Sequence, residues 1–295
     1  MIFLITKEFD NKSLLSFLQN EISISRKAIS RLKRLNNGMM LNGQRVTVRA
    51  ILHEGDRLHL DLDDLPEETD PYLEGVYYPL DILYEDEHIV IPAKPASMPM
   101  HQSLGHKNDS LANALAFYYA DKPFIFRAVN RLDKDTSGVC IIAKTRQSAM
   151  ILSSQVACRE MRKTYHAFLE GTLDPEEGVI DKPIRRKEGS IITRIVCNAD
   201  EMGAQQALTR YKTLKTGSSL SLVECSPITG RTHQLRVHFA SCGHPILGDT
   251  LYGRASDLIK RQALHASSVE FCHPATGKRM CISAPLPDDM KNLII

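Results

Sequence analysis

An acidic, proline-containing stretch constrains the fold of this 295-residue chain more than any other feature, because it separates two segments of different character. Seven carboxylates lie between positions 61 and 74 with no Lys or Arg among them, and Pro66 and Pro71 fall within the same stretch. Proline interrupts both a helix and a central strand. We therefore expect a linker at 65–79 between an N-terminal domain, 1–64, and a larger domain, 80–295, a division that suits the usual domain size.

Composition places the chain among folded globular proteins. Apolar residues make up 43% of it, and 37 Lys and Arg against 35 Asp and Glu leave a formal net charge of +2, which excludes a polycation or a disordered chain. No basic stretch precedes the short apolar N-terminus, no run approaches the roughly 18 apolar residues of a spanning helix, and the seven cysteines include no CxxC pair. We expect a cytoplasmic protein with reduced thiols and no membrane segment.

The N-terminal segment predicts a small module of two helices and a hairpin. Apolar residues recur at helical spacing over 14–22, Ser25 is a candidate cap for a second helix from Arg26 to Leu35, and Asn42-Gly43 is a strong hairpin signal. The second helix carries the basic residues Arg26, Lys27, Arg31 and Lys33. A basic face is most often only solvated surface, so the charges alone assign no function to this helix.

The larger segment predicts an α+β domain. Strand candidates at 80–91, 138–143 and 220–225 and helix candidates at 110–119 and 149–161 are interspersed without regular alternation, and no repeat is visible. A doubly wound fold is therefore less favoured. The segment also lacks a glycine-rich nucleotide-binding loop.

The densest polar cluster is NRLDKDTSG, from Asn130 to Gly138, directly before an apolar strand. Such a loop is where a scaffold presents functional side chains, and Asp133 is its candidate nucleophile or base. The alternative is that these residues only form turn hydrogen bonds. An aspartyl-phosphate loop fits poorly, because Ser137 occupies the fifth position of that pattern and the residues before Asp133 are polar.

Two further clusters carry candidate chemistry. In PITGRTHQLRVHF (227–239), Thr232 is a candidate helix cap, and a desolvated Arg236 requires an anionic partner such as Asp133. The five-residue spacing of the two histidines in this segment is not that of a zinc site. Tyr165, in Lys-Thr-Tyr, is either a packing residue of a strand or a ring on which a nucleobase stacks.

Taken together, these motifs resemble the RluA-type RNA pseudouridine synthases. The family's HRLDxxTSG appears as NRLDKDTSG, its [KR]xY as KTY, and its GRTHQ[IL]RVH as residues 230–238. Further matches are LYEDEHIVIPAKP (83–95), GHPILGDTLYG (243–253) and RQALHASSVEFCHPATG (261–277). The N-terminal segment resembles the RNA-binding module named after ribosomal small-subunit protein four, whose second helix meets phosphates at the positions of Arg26, Lys27, Arg31 and Lys33.

The resemblance implies an α+β catalytic domain with a mixed, mostly antiparallel central sheet, behind an S4-like module. It assigns the catalytic aspartate to Asp133, the active-site tyrosine to Tyr165 and the aspartate's partner to Arg236, with substrate contacts at Arg131, Leu235 and Arg231. Asn130 replaces the family's usual His, and Pro-Ala-Lys-Pro at 92–95 replaces the more frequent NKP. These two departures bear on substrate detail rather than on activity.

The resemblance further implies the isomerisation of uridine to pseudouridine in structured RNA, either 23S ribosomal RNA or transfer RNA. This reaction needs one carboxylate, a pocket for the detached base and a group that removes a proton from carbon, so we expect no cofactor and no metal. We also expect a monomer. The alternative of another class is a silent RNA-binding protein that kept the fold, which the intact Asp133, Tyr165 and Arg236 argue against.

Overall fold

The structure, a computed structural model, describes residues 1–22, 24, 26–62 and 72–293. Among these residues, one hydrophobic core lies before the acidic stretch and three lie after it. The first core draws on residues before position 63, with Met150 packed at its edge, and the others draw on residues after position 79. The Ser25 cap and residues 65–71 of the expected linker lie outside the described residues. The boundaries at 64 and 80 stay a prediction.

The N-terminal domain is a four-stranded antiparallel sheet covered by helices. It comprises β1 (Ile2–Leu4), a 3₁₀ turn (Lys7–Phe9), α1 (Leu14–Ser16) continued by a π turn (Phe17–Glu21), α2 (Arg26–Arg34), β2 (Met39–Leu41), β3 (Gln44–Arg45) and β4 (Arg57–Leu60). The strand order is β1-β4-β2-β3. Asn42 and Gly43 both have positive φ, 52° and 80°, as a two-residue hairpin turn requires. The two predicted helices and the hairpin are confirmed.

The larger domain is built around one ten-stranded sheet. Its strands, together with a separate hairpin of β11 and β12, are β5 (Asp81–Glu85), β6 (Ile89–Lys94), β7 (Ser137–Val139), β8 (Ile142–Ala143), β9 (Arg162–Glu170), β10 (Glu177–Asp181), β11 (Ile184–Arg186), β12 (Arg194–Val196), β13 (Leu208–Thr216), β14 (Leu220–Pro227), β15 (Leu264–Cys272) and β16 (Arg279–Ser283). The order is β10-β13-β14-β9-β15-β7-β6-β5, with β16 on β15 and β8 on β6.

Only the β7–β15 pair of this sheet is parallel among the described pairs. The predicted α+β class with a mixed, mostly antiparallel sheet is confirmed. The single strand candidate at 80–91 is wrong, because it is a hairpin of β5 and β6. The chain turns at Asp86, whose carboxylate accepts the backbone N–H groups of His88 and Ile89 at 2.7 and 2.9 Å.

Four helices complete the larger domain, and their first residues follow from local capping. They are α3 (Leu111–Tyr118), α4 (Arg146–Ala157), α5 (Gln234–Ser241) and α6 (Asp288–Lys291). Ser110 forms a capping box with Asn113 at the start of α3, as the predicted helix allows. Helix α4 begins three residues earlier than predicted, because the Thr145 side chain accepts the Ser148 N–H at 3.1 Å.

The predicted Thr232 cap of α5 is wrong. The cap position is His233, in the left-handed region at φ 58°, and its side chain makes no capping bond. Instead the first helical residue, Gln234, folds back so that its side-chain oxygen accepts the Arg231 N–H at 3.0 Å. This bond holds the loop before α5 against the first residue of the helix.

The close pairing of β7 with its parallel neighbour β15 depends on Gly138. Its φ is +117°, and a Cβ at this position would lie 2.2 Å from the carbonyl oxygen of Ala266 on the parallel neighbour. Because that oxygen belongs to backbone, it cannot move aside as a flexible side chain would. Gly138 thereby allows the strand that follows the Asp133 loop to enter the middle of the sheet.

Gly138→Ala is expected to lower the free energy of unfolding by roughly 2 to 5 kcal/mol, from backbone strain and steric overlap together. Gly243→Ala is the matched control, since Gly243 has φ +82° with nothing within 4 Å of the added Cβ. It should cost only about 1 to 2 kcal/mol. Urea denaturation of both variants checks this, and equal losses would contradict the role given to close packing.

Candidate active site

The three polar clusters of the sequence meet in one cleft of about 270 Å³ between the start of α5, β9 and the loop before β7. Its lining includes Asp133, Lys163, Tyr165, His233, Leu235 and Arg236. Strands β9 and β7 lie on either side of β15, and α5 follows the end of β14. The sheet order therefore brings together segments that are far apart along the chain.

The loop that presents Asp133 is held by a buried lysine. Lys94 is 1% exposed, and its ammonium group donates to the carbonyl oxygens of Pro95, Met98 and Lys134 at 2.7, 2.7 and 2.9 Å. Burial lowers its pKa to about 8. One cation thus joins the end of β6 to the residue that follows Asp133. The sequence Pro-Ala-Lys-Pro at 92–95, which differs from the family's more frequent NKP, retains this lysine.

Arg236 is the best-fixed side chain of the site. It is 8% exposed, and it donates from Nε and one terminal nitrogen to the two carboxylate oxygens of Asp249 at 2.6 and 2.7 Å. Its other terminal nitrogen stands 3.4 Å from Oδ2 of Asp133. Because a bidentate pair fixes the guanidinium plane, the third donor is aimed at Asp133.

Asp249 is a functional residue that the sequence motifs did not single out. Its side chain is fully buried, and Oδ1 also accepts the N–H groups of Leu251 and Tyr252 at 3.0 and 3.2 Å. The expected Asp133–Arg236 contact is present, but Asp249 is the stronger anionic partner. The available signal was its place in GHPILGDTLYG together with the requirement that a buried arginine be neutralised.

His233 lies beside the carboxylate on the side away from Arg236. Its Nε2 is 4.0 Å from Oδ1 of Asp133, and its Nδ1 is 2.8 Å from the hydroxyl of Tyr252. Burial lowers the pKa of this imidazole, and the charge of Asp133 only partly opposes that effect. The ring is therefore neutral at neutral pH.

The wall of the cleft is formed by Tyr165 and Leu235, which are 7% and 6% exposed. Burial raises the pKa of the Tyr165 phenol, so it stays protonated, and the fully buried thiols of Cys140 and Cys225 also have raised pKa values. Lys163, two residues before Tyr165, lines the same cleft, and burial lowers its pKa. The site thus combines an apolar wall with a carboxylate and cations.

Arg131 and Arg231 are exposed at the mouth of the cleft, where Arg231 donates from Nε to the Gln206 carbonyl at 2.9 Å. Asn130 is buried behind them. Its amide donates to the Val139 carbonyl at 3.1 Å and accepts the Ile141 N–H at 2.7 Å. Asn130, which departs from the family pattern, therefore stabilises the backbone between the end of β7 and the start of β8.

The basic candidates of the N-terminal domain all lie on α2, away from the cleft lining. Arg26 and Lys33 are exposed, Arg31 donates to the Asp61 carbonyl at 3.0 Å, and the side chain of Lys27 lies outside the described residues. Among the residues that the structure describes, no cluster of three His, Cys, Asp or Glu could hold a metal ion. No helix in the same ranges is long and apolar enough to cross a membrane.

Comparison with known families defines the class of protein. Residues 88–241 match the family described as RNA pseudouridylate synthase, and residues 1–58 match the RluD ribosomal pseudouridine synthase N-terminal domain. Since the first match spans more than half of the chain, the chain belongs to the RNA pseudouridine synthase family, a family of isomerases. The resemblance drawn from its motifs is confirmed.

Individual relatives and a solved structure are similar to most of this chain. The uncharacterized RNA pseudouridine synthase YhcT of Bacillus subtilis (strain 168) is 38% identical over 98% of this chain and 95% of its own length. Ribosomal large subunit pseudouridine synthase D of Zymomonas mobilis is 35% identical over 92% of this chain and 89% of its own. The structure of human RNA Pseudouridylate Synthase Domain Containing 4 is similar with a TM-score of 0.57 and 27% identity, over 72% of this chain and 90% of that one.

Asp249→Asn should destabilise the fold and reduce turnover together. The amide offers only one acceptor to Arg236 and leaves a buried cation without a counter-charge, which costs about 3 to 5 kcal/mol. Arg236 would also lose the orientation that aims it at Asp133. Denaturation and turnover measurements on the same preparation check both effects.

Asp289→Asn is the control for that variant. Asp289 also forms a bidentate ion pair with a buried arginine, Arg261, at 2.7 and 2.9 Å. The Asp289 side chain is 46% exposed, so water can replace its carboxylate. We expect a smaller loss than for Asp249→Asn, of roughly 1.5 to 3 kcal/mol. Equal destabilisation by the two variants would show that burial of the Asp249 pair is not what matters.

Proposed function

We propose that this protein isomerises specific uridines to pseudouridine in large-subunit ribosomal RNA, and that Asp133 starts the reaction. The observation that carries the proposal is the placement of the Asp133 carboxylate between Arg236 and His233, in a cleft that Tyr165 and Leu235 also line. Membership of the family supports the reaction. Relatives named as ribosomal large subunit synthases support the choice of RNA.

The reaction sets three requirements. The bond from the sugar to N1 of uracil breaks, a bond from the sugar to C5 forms, the proton on C5 leaves, and N1 takes up a proton, so that product and substrate are isomers. Asp133 initiates bond cleavage, either by attack on the sugar or by removal of a sugar proton. Both routes need a carboxylate with one lone pair directed into the cleft, and Arg236 contacts one of the two oxygens of this carboxylate.

The detached base must turn without escaping. A cleft of about 270 Å³ is below the usual range for drug-sized ligands and suits a single nucleobase flipped out of its RNA helix. Tyr165 and Leu235 provide the apolar surface against which the ring lies. Arg131, exposed at the mouth, occupies the space that the flipped uridine leaves.

The rest of the chain supplies affinity for RNA. We place the RNA-binding domain at 1–64, the linker at 65–79 and the catalytic domain at 80–295. Exposed basic side chains on α2 contact phosphates and make binding sensitive to salt. The protein works in the cytoplasm as a monomer on structured RNA, with no cofactor required by the chemistry.

Asp133→Asn tests the catalytic assignment. We expect turnover to fall by at least a factor of about 10² to 10⁴, with RNA affinity within a few fold of wild type, because the amide preserves the shape of the side chain but not its basicity. Pseudouridine is mapped by carbodiimide-stopped primer extension on large-subunit RNA and transfer RNA transcripts treated with purified protein. Asp135→Asn, in the same loop, is the matched control and should retain activity.

The outcomes of that experiment are distinct. Modification of the ribosomal transcript alone supports the proposed substrate, and modification of transfer RNA alone contradicts it while leaving the reaction in place. Wild-type turnover by Asp133→Asn removes Asp133 from the mechanism. An inactive wild-type protein that still binds RNA would favour a silent RNA-binding role.

Substitution of Arg26 and Lys33 by Gln tests the N-terminal domain. The slope of log affinity against log salt concentration should fall by roughly 0.7 to 0.9 for each phosphate that the variant no longer neutralises. Lys260 and Lys291, 79% and 53% exposed on the catalytic domain, are replaced in the control because the change in net charge is the same. Equal slopes in the two double variants would exclude α2 as the RNA-binding surface.

A further inference from the structure

The contacts of His233 define which of its ring nitrogens carries the proton. The residue has φ 58°, a left-handed conformation that histidine adopts more readily than most side chains. This conformation turns the imidazole toward the cleft, with one nitrogen facing Tyr252 and the other facing Asp133. Either nitrogen of a neutral imidazole can bear the hydrogen, so the neighbours decide.

The Tyr252 hydroxyl is the first of these neighbours. Its oxygen accepts the backbone N–H of Arg194 at 2.9 Å, so its own hydrogen is directed elsewhere. Among the described contacts of the Tyr252 hydroxyl, His233 Nδ1 is the atom that can accept this hydrogen, at 2.8 Å. A nitrogen that accepts a hydrogen bond carries no proton, so donation by the Tyr252 hydroxyl to Nδ1 would place the proton of the neutral ring on Nε2.

The Asp133 carboxylate is the second neighbour and favours the same arrangement. Its Oδ1 is 4.0 Å from His233 Nε2. An N–H directed at a carboxylate oxygen is attractive, whereas a nitrogen lone pair directed at it is repulsive. Contacts at both ends of the ring therefore agree on one tautomer.

We propose that His233 is a positioning residue for the isomerisation: Tyr252 holds it as the Nε2–H tautomer, and this N–H restrains Oδ1 of Asp133 while Arg236 restrains Oδ2. The inference rests on the proposed function. Two donors on two different oxygens fix the rotation of the carboxylate, which one donor cannot do. The 4.0 Å separation is longer than a hydrogen bond, so the proposal requires it to shorten in the complex with RNA, as catalytic contacts of unliganded enzymes often do.

Tyr252 connects the two donors. Its ring lies 5.2 Å from the Arg236 guanidinium carbon, while its hydroxyl contacts His233. Tyr252 also follows Asp249 by three residues in the chain, and its backbone N–H donates to the Asp249 carboxylate. One turn of chain, 249–252, thereby sets the orientation of both groups that hold Asp133.

Protonation of His233 should disturb this arrangement. The charged groups that face the ring are Asp133 and Asp249, which favour the imidazolium, and Arg236 and Arg194, which oppose it. A protonated ring would direct an Nδ1–H at Tyr252, whose hydroxyl would then have to turn its own hydrogen away. The imidazolium would keep its Nε2–H directed at Asp133, so protonation disturbs the contact with Tyr252 and not the restraint on the carboxylate.

The tautomer can be measured without any assay of activity. Nitrogen-15 NMR of the full-length protein at pH 7.5, with His233→Gln used to assign the resonance, should show a protonated Nε2 and an unprotonated Nδ1 for His233. Tyr252→Phe should shift this pattern toward a mixture of tautomers, and Tyr211→Phe, which removes a hydroxyl bonded to the Pro175 carbonyl, should not. A protonated Nδ1 in the wild-type protein overturns the proposal.

The effect on turnover is measured with two variants that share the cost of the left-handed backbone. In His233→Gln the side-chain amide nitrogen replaces Nε2–H as a donor, and kcat should stay within about fivefold of wild type. In His233→Leu the donor is gone, and kcat should fall by about a hundredfold with KM nearly unchanged, as for a misplaced catalytic group. The substrate is whichever transcript the wild-type protein modifies.

Two kinetic results would overturn the proposal: equal losses in the Gln and Leu variants, or a rise in KM with kcat unchanged. Failure of the proposed function has a different signature, because the wild-type protein would then modify neither transcript. In that case the NMR result still decides whether Tyr252 fixes the tautomer.

Discussion

The buried ion pair between Arg236 and Asp249 is the interaction on which the site depends. Removal of two charges from water is costly, and the pair is tolerated because every strong donor and acceptor around it is satisfied. Asp249 accepts two guanidinium bonds and two backbone N–H groups, so it joins α5 to the turn that carries Tyr252. The position of Asp133 follows from that junction rather than from its own loop alone.

Much of the site could be predicted from residue types. A polar loop before an apolar strand indicated Asp133, and the cost of a buried cation indicated an anionic partner for Arg236. That cost alone did not select Asp249 among the acidic residues, because the 13 residues that separate it from Arg236 include an irregular loop that has no periodic pattern. Contacts made by loops depend on the fold, whereas contacts within a helix depend on spacing.

The errors in element boundaries have local causes. Thr232 is a good capping residue by type, but the Gln234 side chain supplied the acceptor, so the first helical residue of α5 lies two positions beyond Thr232. Asn130, which stands where the family usually has His, bonds through its amide to backbone on both sides of the gap between β7 and β8, and its effect on substrate detail stays a prediction. In both cases a side chain that satisfied a backbone group decided the outcome, and composition alone does not show which side chain will do so.

The position of β15 in the sheet has a consequence for biosynthesis. This strand lies between β9, which carries Tyr165, and β7, which follows the Asp133 loop, so it joins the two halves of the cleft. His265 on β15 bonds to Ser137 across 128 residues of chain. At ribosomal elongation rates that interval corresponds to roughly 6 to 26 s. A nascent chain therefore carries Asp133 well before it can form a cleft around it, and the cleft is complete only after β15 has emerged and inserted.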